Sequence, residues 1–177
     1  ASSLTASQIV NTYSFEALTQ LFRMYGELHS APALAKALIA ARTKHPIETT
    51  QSLKEIALPF APPRKSAKFL AQVFQALRIE VNDELGALKS LLKQSVQLLK
   101  PGGRLVVISY HSLEDRLVKR FIKTGNFEGE LEKDMYGNPL QPFIPISKKA
   151  IVPTEEELII NPRARSAKLR IGERTNL

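Results

Sequence analysis

The stretch KPGGRLVVISYHSLEDR, Lys100 to Arg116, decides how this chain is read. Gly102 and Gly103 break the helical pattern before it, because glycine gives up more backbone freedom in a helix than other residues. Leu105 to Ile108 then run apolar until Ser109, and a continuous run rich in β-branched residues predicts a buried parallel strand. Beyond the polar tip SYHS, the spacing of Leu113, Leu117, Val118, Phe121 and Ile122 predicts a helix, with Ser112 and Asp115 as its capping pair. Ligands of open α/β sheets gather outside the carboxyl ends of the strands. Ser109, Tyr110, His111 and Ser112 are therefore the first candidate site residues. A helix cap at Ser112 and a turn-ordering role for His111 are the competing structural explanations.

Upstream, residues 66–99 read as helix throughout, with Leu85, Leu88, Leu92, Val96 and Leu99 three or four apart and Asn82 placed to cap a second helix. Downstream, residues 124–147 show no period and read as an excursion loop. KKAIVP (148–153) reads as a short strand, and Thr154 with Glu157 as another capping box. SAKLRIGE (166–173) alternates, predicting a strand with Ala167, Leu169 and Ile171 inward and Ser166, Lys168 and Arg170 outward. Three strands are too few to pair and cover a segment as apolar as LVVIS, so the sheet reads as incomplete in this chain.

The first 58 residues punctuate as four amphipathic helices. Thr5 with Gln8 fits a capping box, Ser14 caps FEALTQLFRMY, and Gly26 closes that helix at C′. Pro32 sits in the first turn of a third helix that Pro46 stops, and TTQSLKEIAL forms the fourth. The three prolines of LPFAPPRKSAK (58–68) mark a boundary, predicting an all-α module over 1–68 and an α/β part over 69–177.

With 177 residues, 44% of them hydrophobic, the chain can bury a real core. The absence of cysteine excludes disulfides and thiolate metal sites, and His29, His45 and His111 are too scattered for zinc. No apolar stretch approaches the roughly 20 residues of a membrane span, and ASSLTASQIV lacks the features of a signal peptide. A soluble, cytoplasmic protein is expected. The formal charge of +8 is unevenly placed: residues 161–177 hold five basic side chains against one acid, whereas 124–160 hold seven acids against three lysines. A basic face of that kind concentrates polyanions and contacts phosphates, though it also serves as an ordinary solvated surface.

Further candidates follow from this. Asn82 and Asp83 interrupt a helical run where polar groups would meet a base edge, and an N-cap explains Asn82 equally well. Arg78 and Arg116 suit phosphate or base contacts, unless acids such as Glu80 or Asp115 hold them. In NPRAR, Pro162 fixes a turn presenting Arg163 and Arg165 at alternate positions, a geometry suited to phosphate or a stacked base.

At FQALRIEVNDEL, KPGGRLVVISYHSLEDRLVKRF and NPRARSAKLRIGER the chain closely resembles the bacterial small-subunit ribosomal RNA (cytosine-N4)-methyltransferases. VNTYSFEALTQLFRMYGE looks like the start of that family's inserted helical domain. The resemblance implies an α/β fold, a partial Rossmann-like methyltransferase sheet with an all-α inserted domain, and S-adenosylmethionine as methyl donor. Small-subunit ribosomal RNA or the 30S subunit would be the partner. His111, Tyr110 and Ser109 become catalytic candidates, and Arg78, Asn82, Ser112, Arg116, Arg163 and Arg165 substrate-binding ones. The family's first strand, glycine-rich cofactor turn and ribose-binding acid do not occur among these residues, and Gly102 and Gly103 precede a strand where such a turn must follow one. The chain therefore resembles the C-terminal part of the enzyme and is expected to be inactive alone, with a homodimer covering the unfinished sheet. A non-enzymatic RNA-binding module with the same basic face is the rival expectation.

Overall fold

Thr5 opens α1 (Ala6–Thr12): its hydroxyl accepts from the Gln8 N–H while the Gln8 side chain accepts from the Thr5 N–H. Ser14 caps α2 (Phe15–Met24) and Thr49 caps α4 (Thr50–Ala57), each hydroxyl accepting a backbone N–H three residues on. Between them α3 (Ala31–Arg42) carries Pro32 in its first turn, where a missing N–H costs nothing. The computed structural model, which describes residues 4–176, adds α5 (Ser66–Asn82) to these four. Their apolar stripes meet in one core, with Leu18, Phe22, Leu34, Leu38 and Val73 fully buried. Gly26 stands just past α2 without a left-handed φ. A Cβ there would lie 2.8 Å from the Phe22 carbonyl oxygen and 3.2 Å from that of Gln72, so the glycine serves close approach.

Packing divides the chain into Ala1–Glu84 and Leu85–Leu177. The module expected over 1–68 therefore takes in α5 as well. The proline-rich segment is ordered within it, a 3-10 turn over Leu58–Phe60 leading toward α5. The chain breaks instead at Asp83, which adopts the left-handed region (φ 46°) between α5 and α6 (Glu84–Leu98). Asn82 is consequently the last residue of α5 and not the cap of the next helix; the short aspartate side chain tolerates the strained position.

The second unit consists of α6, β1 (Arg104–Ser109), α7 (Ser112–Thr124), β2 (Phe143–Pro145), α8 (Glu155–Ile160), a 3-10 turn over Pro162–Ser166, and β3 (Lys168–Arg174). The strand order is β1-β3-β2, with β3 antiparallel to both neighbours and Arg104 opposite Glu173, Ser109 opposite Lys168. β1 is thus not paired in parallel, and its burial alternates. Leu105 and Val107 pack with Val118, Phe121, Ile122 and Phe143, whereas Val106 and Ile108 are each 54% exposed. An apolar run implies two covered faces only when both covers are present, and here α7 covers one.

Two other strand expectations change. KKAIVP supplies only an isolated bridge, Ile151 to Leu169, and the second strand is the three-residue FIP inside the stretch read as a loop. The faces of β3 are also inverted. Leu169 and Ile171 lie opposite Ile108 and Val106 on the open side, while Lys168 and Arg170 turn toward α7 because Asp115 of that helix draws them in. Gly172 shares the covered side, where a Cβ would meet Ile122 at 3.0 Å and Phe143 at 3.2 Å.

Candidate functional site

The turn from β1 to α7 is built on one reciprocal cap, and it starts a residue earlier than expected. His111, not Ser112, is the N-cap of α7: its Nδ1 accepts the Glu114 N–H at 3.3 Å. Glu114 Oε2 in return accepts the backbone N–H groups of Tyr110 (2.9 Å) and His111 (3.4 Å). The His111 side chain is only 9% exposed, with Nε2 3.3 Å from Glu114 Oε1. These bonds assign the tautomer: an Nδ1 that accepts an N–H carries no proton, so neutral His111 holds its proton on Nε2, facing the carboxylate. Drawing a further proton to Nδ1 would break the cap. The imidazole is therefore held in one orientation by its cap.

Around that cap the neighbours divide by role. Tyr110 is exposed at the tip, Ser112 and Arg116 are exposed on the first turn of α7, and Ser109 is buried, its hydroxyl donating to the Lys168 carbonyl at 3.4 Å. Asp115, read from sequence as a cap partner or a mate for Arg116, is instead buried and gripped by Arg170 through two hydrogen bonds of 2.6 and 3.1 Å, with Lys168 Nζ at 3.4 Å. Burial alone would raise the Asp115 carboxyl, but the Arg170 hydrogen bond and charge, reinforced by Lys168, hold it below the usual carboxylate value. This ion pair ties α7 to β3 and so fixes the angle at which the His111 turn leaves the sheet. Sequence reasoning missed both Glu114 and Arg170; a histidine followed three residues later by glutamate at a helix start was the available signal for the first.

Because Ser109 pairs with Lys168, β3 enters the sheet at the end where β1 leaves it. The Pro162–Ser166 turn just before β3 thus brings Arg163 and Arg165 to the carboxyl end of β1, both exposed. Arg78 and Asn82 belong to the helical unit. Arg78 makes a bidentate pair with Glu84 (2.8 and 3.0 Å), and Asn82 Nδ2 donates to the same carboxylate at 3.2 Å. The acid considered for Arg78, Glu80, instead accepts the Tyr13 hydroxyl at 2.8 Å.

At Gly102 and Gly103 the backbone donors are engaged within the protein. The Gly102 N–H donates to the Arg174 carbonyl at 2.9 Å and the Gly103 N–H to that of Lys100 at 2.8 Å, so both donors serve the turn and sheet edge.

A helical unit followed by a small antiparallel sheet, whose first strand ends in a polar turn flanked by exposed arginines, defines a mixed α/β chain. It belongs to the MraW methylase family, whose model matches residues 1–175. It is 92% identical over 177 residues to the ribosomal RNA small subunit methyltransferase H of Amoebophilus asiaticus, covering all of this chain and 57% of that protein. The proteins of the same name from Parabacteroides distasonis and Flavobacterium johnsoniae are 58% and 56% identical, over 96% and 97% of this chain and 56% of each relative. The chain therefore spans a little over half the length of the curated relatives it matches. No helix among the described residues is long and apolar enough to cross a membrane.

Proposed function

We propose that this chain is the substrate-side portion of a cytoplasmic S-adenosylmethionine-dependent methyltransferase acting on the exocyclic amine of a cytosine in small-subunit ribosomal RNA. The match to one methylase family over residues 1–175 carries the reading. The β1–α7 turn gives it a location: methyl transfer to an amine needs the nitrogen held in line, acceptors for its protons and a route for the one it loses. Tyr110 and His111, with Ser109 behind them, stand at that strand end, with Ser112, Arg116, Arg163 and Arg165 as RNA contacts; Arg78 and Asn82 are further substrate contacts in the helical unit. The cap on His111 Nδ1 fixes the ring at that strand end, with Glu114 as its anchor.

The cofactor-binding motifs that the resemblance implies lie outside these residues, so the chain alone should bind S-adenosylmethionine negligibly; saturable micromolar binding by calorimetry would contradict this. In the full-length enzyme carrying these residues, His111→Ala should slow single-turnover methyl transfer by about 100-fold while leaving cofactor affinity near its original value. His111→Asn keeps an N-cap acceptor, and recovery of the rate in that variant would reduce His111 to a capping role. RNA binding that persists with no methyl transfer by the full-length protein would favour the rival, a non-enzymatic RNA-binding module. For the chain alone we also propose a homodimer that covers β1, which pairs with β3 on one side only among the described residues.

A further inference from the structure

Between α7 and the residues just after β2 lies a cavity of about 570 Å³ that no part of the proposed reaction uses. Lys119 and Lys123 reach it from consecutive turns of α7, Lys148 from the segment after β2, and Arg170 from β3. No acidic side chain is among its lining residues. Its apolar walls are Ile122 and Pro145.

The arginine is the prepared part of this arrangement. Asp115 takes its Nε and Nη2, and the side chain is only 14% exposed, so the guanidinium is immobilised before any ligand arrives. Its Nη1 donors are not used by Asp115. Lysines on a helix flank are usually solvated and mobile; three of them converging on a fixed guanidinium and an apolar wall make a site with two kinds of affinity. The cations suit a phosphodiester, and the wall suits the flat face of a nucleobase. A volume in the several-hundred-Å³ range matches a nucleotide and exceeds what a bare phosphate would fill.

We infer that this groove binds a nucleotide of a single-stranded RNA segment, its phosphates on Lys119, Lys123 and Lys148 and its base against Ile122 and Pro145. The inference rests on the RNA-facing reading above and extends it to a surface apart from the His111 turn. A strand held there would be gripped through its backbone, without base readout, which positions the RNA and does not select its sequence.

The test is fluorescence anisotropy of the full chain with a labelled single-stranded ribo-oligonucleotide over a series of salt concentrations, comparing the wild type with Lys119→Gln/Lys123→Gln/Lys148→Gln. The slope of log K against log salt should fall by about 0.7 for each lost phosphate contact, hence by about 2 for the triple variant. Methyl resonances of Ile122 should move when the oligonucleotide is added to the wild type and stay still in the variant. Far-ultraviolet dichroism of the variant checks that it folds, and single Lys→Gln changes, each expected to lower the slope by about 0.7, replace it should it not. Wild-type binding with an unchanged slope in the variants overturns the groove and leaves the proposed function standing. Equal affinity for cytidine 5′-monophosphate and the oligonucleotide would make this a free-nucleotide site and overturn the RNA assignment. No RNA binding by the wild type would remove both the groove and the RNA-facing reading.

Discussion

The two units of this chain finish their cores to different degrees. In the helical unit, α1 to α5 close around Leu18, Phe22, Leu34 and Leu38, all at zero exposure. In the sheet unit one face is sealed by α7 over Phe121, Ile122 and Phe143, while Val106, Ile108 and Ile144 on the other remain 54% exposed. The same apolar chemistry is thus structural in one unit and available for contact in the other. Isolated apolar side chains at a surface are ordinary, but a row of them across three paired strands is a patch. The helical unit holds itself together; the sheet unit is half of a layered arrangement.

The contrast breaks most easily at Phe22. Phe22→Ala leaves a cavity in a fully enclosed site and should cost about 3–5 kcal/mol, read by urea denaturation and by loss of amide protection in α2, α3 and α5. A cost below about 1 kcal/mol would mean that the helical core is no better closed than the sheet.

The second effect probes what the sheet unit has in place of a second apolar layer. Asp115→Asn leaves the Arg170 guanidinium buried without its countercharge, and we expect a loss of about 3 kcal/mol. Because the folded carboxyl lies below its unfolded value, its stabilisation is complete above the ordinary carboxylate range near pH 4 and disappears as pH falls through that range toward the folded value. Acid unfolding of β3 and α7, followed by hydrogen exchange, should lose that component of its pH dependence in the variant.

The helical unit has the opposite pH weakness. Burial, then the hydrogen bond and charge of Glu80, push the Tyr13 hydroxyl up to about 12. A phenol raised in the folded state stabilises fully below its unfolded value and ceases to do so as pH climbs through 10.0 toward about 12. Tyr13→Phe should cost about 1 kcal/mol at neutral pH and flatten the alkaline limb of the helical unit's stability. A variant that flattened the acid limb instead would reverse this assignment of pH sensitivity to units.

Legibility in the sequence followed the same division. The helices of the first unit were readable because their information is local: Thr5 with Gln8, Ser14 and Thr49 act within three residues, and stripes repeat within two turns. The sheet's information is remote. Arg170 turns inward because of Asp115, 55 positions earlier, and no alternation pattern can report that. FIP is too short to show a period. For the site, the punctuation shows the strand-to-helix turn, yet the cap reads one residue late, because serine is the commoner N-cap and histidine fills that role only through Nδ1.

The smallest effect on stability carries the sharpest information about the unfinished face. Ile108→Ser changes a side chain already 54% exposed, so the chain alone should lose no more than about 0.5 kcal/mol. If a second copy covers β1, the same substitution places a hydroxyl in an apolar contact, and self-association should weaken measurably where stability did not. Light scattering at micromolar concentration separates the cases: a wild-type dimer shifted toward monomer by Ile108→Ser assigns the face to the partner copy. A dimer indifferent to the substitution places the contact elsewhere on the molecule. A wild-type monomer would instead leave the exposed strand uncovered in solution, and the proposed homodimer would fall while the helical unit's self-sufficiency stood.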